Sequence, residues 1–189
     1  MNSLILVDPV LVVNLGEQYD LTAMLNEQIV GQIAQEQLNM LMLPNSSDYL
    51  DFPYEMVLSA GESQQSYYVA DIENSYRVQV FQHTENDHRF VSPEELEISL
   101  PIGNQPDMEL TLKNATLRGT YSGDFSTIDS GALAGVVTEE DAQNFVIYQY
   151  GAQIITLKTA FDWLQVFPDP AIGGYRIEFS YTAYKVEVL

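Results

Sequence analysis

The chain has no cysteine among its 189 residues. That removes thiol nucleophiles, disulfides and thiolate metal sites together. It leaves the compartment open, because a domain of this size needs no disulfide staple. Basic residues are scarce as well: 7 Lys and Arg stand against 27 Asp and Glu, for a formal charge of −20. A surface with so few cations releases few counterions from phosphates, so nucleic acid and anionic lipid are poor partners. Cations, basic proteins and carbohydrate stay open. No apolar stretch reaches the length of a membrane-spanning helix, so no membrane insertion is expected. The opening "MNSLILVDPVLVV" has no basic n-region, and Asp8 and Pro9 break its apolar run. No signal peptide is visible there, which fits a protein kept in the cytoplasm or a virion, or a mature form.

Catalytic signatures are also missing. There is no G-x-S-x-G elbow, no P-loop, no G-x-G-x-x-G and no H-E-x-x-H. A serine triad would have to draw on His83 or His88, the two histidines of the chain. Carboxylate pairs such as Glu94 with Glu95, or Asp124 with Asp129, have the chemistry for glycoside hydrolysis. Among 27 acidic residues such pairs arise by chance, and solvated faces explain them better. The expectation is a protein that is not an enzyme and carries no cofactor.

What the chain does contain is period-two alternation. Tyr54, Met56 and Leu58 share one face, as do Tyr76, Val78 and Val80, and again Leu96, Ile98 and Leu100. These are half-buried antiparallel strands. "LILVDPVLVV" is apolar on both faces and suits a strand between layers, with Pro9 forcing a bulge or an edge position. Two strands change phase. The set Tyr175, Ile177, Phe179, Tyr181, Ala183 gives way to Tyr184, Val186, Val188, and Met108, Leu110, Leu112 give way to Ala115, Leu117, Tyr121. A one-residue slip turns every later side chain over, so bulges or bends are predicted near Ala183 and Asn114.

One segment reads differently. Leu21, Leu25, Ile29 and Ile33 recur every four residues behind Asp20, predicting an amphipathic helix over about 20–43 that ends before Pro44. Thr138, with Asp141 three residues on, predicts the capped start of a short second helix. Three carboxylates in its first turn make an anion site there unfavourable. The fold class expected is therefore mostly β: an antiparallel β-sandwich over residues 1–189 as a single domain, with one long N-terminal helix and a short second one.

"ELTLKNATLRGTYSGDFSTIDSGALAGVVTEEDAQ" and "PDPAIGGYRIEFSYTAY" resemble the pattern of poorly characterised secreted and lipoprotein-type surface domains of myxobacteria and related proteobacteria. The acidic "YDLT" from Tyr19 sits where those domains carry an acidic stretch and a helix. The resemblance implies a secreted or surface-exposed β-rich domain, with no known activity attached.

Three places invite a functional reading. In "PDPAIGG" Asp169 stands where a calcium loop would place carboxylates, but Pro170, Ala171 and Ile172 offer no side-chain oxygen, and a Gly173-Gly174 turn explains the stretch better. In "FQHTENDHRF" a four-residue hairpin loop would set His83 directly opposite His88, with Asp87 or Glu85 as a further ligand for a divalent cation. Exposed loop residues are the plainer account. Finally, Trp163 and the 12 tyrosines suit protein or sugar contacts, although tyrosines in strict alternation are core filling. The last strand, Tyr175 to Val188, is long enough for part of it to serve as an assembly edge, with Tyr181 or Tyr184 as contact residues.

The function expected is a non-enzymatic extracellular or cell-surface domain, acting in assembly with itself or in protein-partner binding. A carbohydrate- or cation-binding module, with calcium or another divalent ion, and a phage or virus structural protein are the alternatives. The periplasm and the virion are the other locations to match.

Overall fold

The structure is a computed structural model that describes residues 2–12, 40–44, 52–64, 67–73, 75–83, 88–93, 96–100, 108–150 and 152–188. Its strands are β1 (Asn2–Val12), β2 (Met40–Pro44), β3 (Tyr54–Gln64), β4 (Tyr67–Ala70), β5 (Tyr76–Gln82), β6 (Arg89–Val91), β7 (Leu96–Leu100), β8 (Leu110–Tyr121) and β9 (Thr127–Thr138). Then come α1 (Glu139–Asn144), β10 (Val146–Tyr150), β11 (Gln153–Thr156), α2 (Leu157–Trp163) and β12 (Gly174–Glu187).

Among the described residues the ladders between strands are antiparallel, with one isolated parallel bridge from Tyr68 to Val188, and they return to their start. β1 pairs β2, β2 pairs β3, β3 pairs β5, β5 pairs β6, β6 pairs β8, β8 pairs β9, β9 pairs β12, and β12 pairs β1. The ladder is thus one curled sheet closed on itself, with neighbours that follow chain order apart from two excursions and the separate β10–β11 ribbon between β9 and β12. Closure removes the open edges that a flat sheet would present. The excursions are β4, which extends β3 as a hairpin, and β7, which pairs the first half of β8.

The alternation seen in the sequence becomes the inside and outside of this ring. Tyr54, Met56, Leu58, Val78, Val80, Phe90, Leu117, Tyr121, Ile177, Phe179 and Tyr181 are all buried in one cluster. On the opposite face Glu55 pairs with Arg77 at 3.0 Å, and Glu178 with Arg118 at 2.7 Å. Apolar side chains inside and ion pairs outside are the reverse of a barrel that faces lipid. No helix among the described residues is long and apolar enough to cross a membrane.

Both phase slips are bulges. The β8–β9 register shifts between Lys113 and Thr116, and Asn114 takes the left-handed conformation at φ 49°. The β12–β9 register shifts between Tyr181 and Ala183. Pro9 also does what its missing N–H requires, since the β1–β12 register jumps between Val7 and Val10.

The long helix fares otherwise. Residues 20–39 lie outside the described residues, and 40–43, counted as its end, are strand β2. "MLML" is a short continuous apolar run, which periodicity cannot assign to helix or strand. Tertiary pairing decides it: Met42 faces the ring interior, while Leu41 and Leu43 pack outside with Val57, Tyr68, Ala70 and Val188. The β3–β4 hairpin folds over them, and Gly61 permits this, because a Cβ there would lie 2.8 Å from Leu41.

At the end where β9 leaves and β12 begins, α1, α2 and the β10–β11 ribbon cover the interior. Ala142, Phe145, Ile147, Leu157, Ala160 and Phe161 join the same core, and the Phe161 ring lies 4.4 Å from that of Tyr175.

Candidate functional site

The covering segment ends in an unusual display of apolar surface. Helix α2 buries Leu157, Ala160 and Phe161, the spacing that a helix lying on a core needs. The Thr156 side chain caps it by accepting from the Thr159 N–H. At its far end Gln165 adopts φ 57°, Val166 N–H donates to the Phe161 carbonyl at 2.9 Å, and Gln165 N–H to that of Asp162 at 3.1 Å. These two bonds make a Schellman motif, with glutamine in the place glycine usually fills. Trp163 stands just before this turn, 62 % exposed, and Phe167 just after it, 76 % exposed.

The turn that follows is equally tied down. Asp169 accepts the Ala171 N–H on Oδ1 at 2.8 Å, and its carbonyl accepts from Ile172, Gly173 and Gly174. Gly173 takes φ 73°, as expected for this stretch, whereas Gly174 is required for another reason. A Cβ on Gly174 would collide with the Val137 carbonyl of β9. The Asp169 carboxylate therefore builds the turn. Trp163 and Phe167 thus lie next to hydrogen-bonded turns, at 162–166 and 169–174.

The chain that carries them is acidic, and the next cations in the wall are the exposed Arg176 and Lys113, which both pair with Val136. Between residues 139 and 173 the acidic groups are Glu139, Glu140, Asp141, Asp162 and Asp169, and the only basic group is Lys158. Lys158 donates to both oxygens of Asp162, at 2.9 and 2.7 Å, and this contact raises its pKa. The Tyr175 hydroxyl beneath α2 is buried without a hydrogen-bond partner, and burial pushes its pKa up.

The sequence-predicted site residues are dispersed. Gln82 pairs with Phe90 and the His83 N–H donates to the Arg89 carbonyl, so His83 faces Arg89 and not His88. The hairpin loop is one residue longer than supposed, and each added residue turns the next side chain to the other face. His83 is exposed on the outer face, while His88 packs on Phe125 with ring centroids 4.9 Å apart. Asp87 lies outside the described residues. No group of three or more His, Asp or Glu able to hold a metal ion is present among the described residues.

Tyr181, expected as a contact residue, is instead buried: it is 3 % exposed, and its hydroxyl donates to the Arg118 carbonyl at 3.0 Å. It belongs to the inward set of β12, as its alternation with Ile177 and Phe179 required. Its ring covers Gly131, where a Cβ would meet the ring directly. Nearby, the Tyr54 and Tyr121 hydroxyls are 2.6 Å apart, and burial holds the Tyr181 phenol well above its usual pKa. Tyr184, past the bulge, is exposed. Yet β12 is paired along both sides, with β9 from Gly174 to Tyr184 and with β1 from Glu178 to Glu187. The assembly edge expected there is occupied.

Asp124 is a loop staple. It accepts from the Ser122 hydroxyl and from both the N–H and hydroxyl of Ser126, and these bonds lower its pKa to about 2. The second helix is capped as predicted, with the Asp141 N–H donating to Thr138 Oγ1 at 3.1 Å. Helix α2 was missed, although Leu157, Ala160, Phe161 and Leu164 follow the helical spacing behind a capping threonine. No protein-family model, curated protein or solved structure matches the chain.

Proposed function

We propose that the chain is a non-enzymatic partner-binding β domain, working outside the cell or at a cell surface, whose contact surface is the α2 end of the ring. The observation that carries this reading is the exposure of Trp163 and Phe167 on either side of a hydrogen-bonded turn. Large aromatics dominate binding energy at protein interfaces, and a framework already ordered loses little further entropy on binding. The filled interior supports a scaffold role for the ring. The sandwich reading treats this ring as two layers, and the buried contact of the Tyr54 and Tyr121 hydroxyls is what supports it. A net charge of −20 opposes association of identical copies, so a different partner is favoured. The location rests on the surface-domain resemblance.

The test is to pan a random dodecapeptide library on the full chain and on Trp163→Ala/Phe167→Ala. Peptides that bind the first and lose at least tenfold on the second are expected. A library that yields none overturns the reading.

A further inference from the structure

Resting on that reading, the chemistry of the partner can be taken one step further. We infer that the α2 end docks a basic segment of another protein, one whose Arg or Lys side chains stack on Trp163 and Phe167 while their charge is met by carboxylates around them. Three observations converge. Trp163 presents the aromatic type that attracts cations most strongly, and it does so from the surface. The chain from 139 to 173 carries five carboxylates against one ammonium, and that ammonium is already engaged by Asp162, next to Trp163. Glu139, in the first turn of α1, lies close enough to bear electrostatically on both Lys158 and Tyr175, so acidic charge from a second element reaches the same end of the molecule.

The alternatives fit this surface less well. A second copy would bring another −20 toward an acidic face, and an anionic membrane or nucleic acid would be repelled. A neutral apolar segment would use the aromatics but leave the carboxylates without counter-charge. A basic segment engages both.

The library experiment distinguishes the inference from the reading beneath it. Panning is done at 50 and 150 mM salt, and binding of the enriched peptides is followed through the emission of Trp163, the one tryptophan of the chain. Enriched peptides are expected to be rich in Arg and Lys. They should shift that emission, lose at least tenfold in affinity on Trp163→Ala/Phe167→Ala, and lose about threefold on Glu139→Gln. Affinity should fall as salt rises. Neutral or acidic peptides that still depend on the two aromatics would overturn the basic-partner inference and leave the docking surface standing. Basic peptides that bind the double variant equally well would overturn both. Phe167→Leu, which keeps bulk without a π face, guards against a folding artefact: a basic partner loses affinity on it, and an unchanged affinity counts against cation stacking.

Discussion

Tyr181 and Trp163 are both large amphipathic aromatics within twenty residues of one another, and they meet opposite fates. Tyr181 sits in a strand whose every second residue points into a closed ring, so its ring is buried on Gly131 and its hydroxyl reaches a backbone carbonyl across β9. Trp163 is the last residue of a helix whose core-facing positions are already taken by Leu157, Ala160 and Phe161. Periodicity leaves it outside. The difference teaches that burial here follows phase within an element and not the hydrophobicity of the residue.

The severest way to break this comparison is to end the chain after Phe179. β12 then loses the half that pairs most of β1, as well as Tyr181, and the closed ring opens. Complete loss of cooperative melting by circular dichroism is expected, while a retained sharp transition would show that the ring is dispensable. Next in size is Tyr181→Ala, which leaves a buried cavity and should cost about 3–5 kcal/mol. At roughly 2–4 °C per kcal/mol for a chain of this length, the melting midpoint should fall by about 6–20 °C. Trp163→Ala, by contrast, should stay within about 0.5 kcal/mol, as exposed positions do. Equal losses for the two would erase the distinction.

Gly131→Ala comes third. The added methyl meets the Tyr181 ring, and overpacking of this kind costs about 1–3 kcal/mol. Denaturant unfolding would measure it, and the loss should largely vanish in a Tyr181→Ala background, where the ring is gone. At the other end of the molecule Gln165→Gly should stabilise by up to about 1 kcal/mol, because glycine carries no penalty at φ 57°. An unchanged or lowered midpoint would mean that the Gln165 side chain supports the turn in some other way.

The smallest effect concerns pH. Asp124 is held at about 2 against its usual 3.8 by the serine hydrogen bonds. A lowered folded-state pKa gives stability that is whole above pH about 4 and disappears as pH falls toward 2. Carboxyl chemical shifts followed through an acid titration should place the Asp124 midpoint near 2, and Ser126→Ala should bring it back toward 3.8. A midpoint near 3.8 in the native chain would count against the staple.

Much of the wall could be read directly from the residues. Alternation located β3, β5 and β7. The phase slips placed bulges at Asn114 and Ala183, and Pro9 marked the jump in β1. Each is a local signal, set by which way a side chain must point along one strand. The α2 helix left a weaker trace in Leu157, Ala160, Phe161 and Leu164, because seven residues make barely two turns, too short a run for periodicity to separate helix from strand. The site was half legible: the alternation of Tyr181 with Ile177 and Phe179 marks it as inward, whereas the exposure of Trp163 follows only once Leu157, Ala160 and Phe161 are read as the buried face of a helix.

By itself, then, the sequence determined strand phase, helix capping at Thr138, the tight turn at Gly173 and the acidic character of the surface, because each depends on neighbours along the chain. Only the tertiary structure decided that "MLML" is a strand, that His83 faces Arg89, that β12 is paired on both sides, and that the ladder closes. Those outcomes depend on register and partner, and register is a property of two strands at once. A one-residue difference in a hairpin loop moves a histidine to the other face of a sheet, and no single strand carries the information that would reveal it.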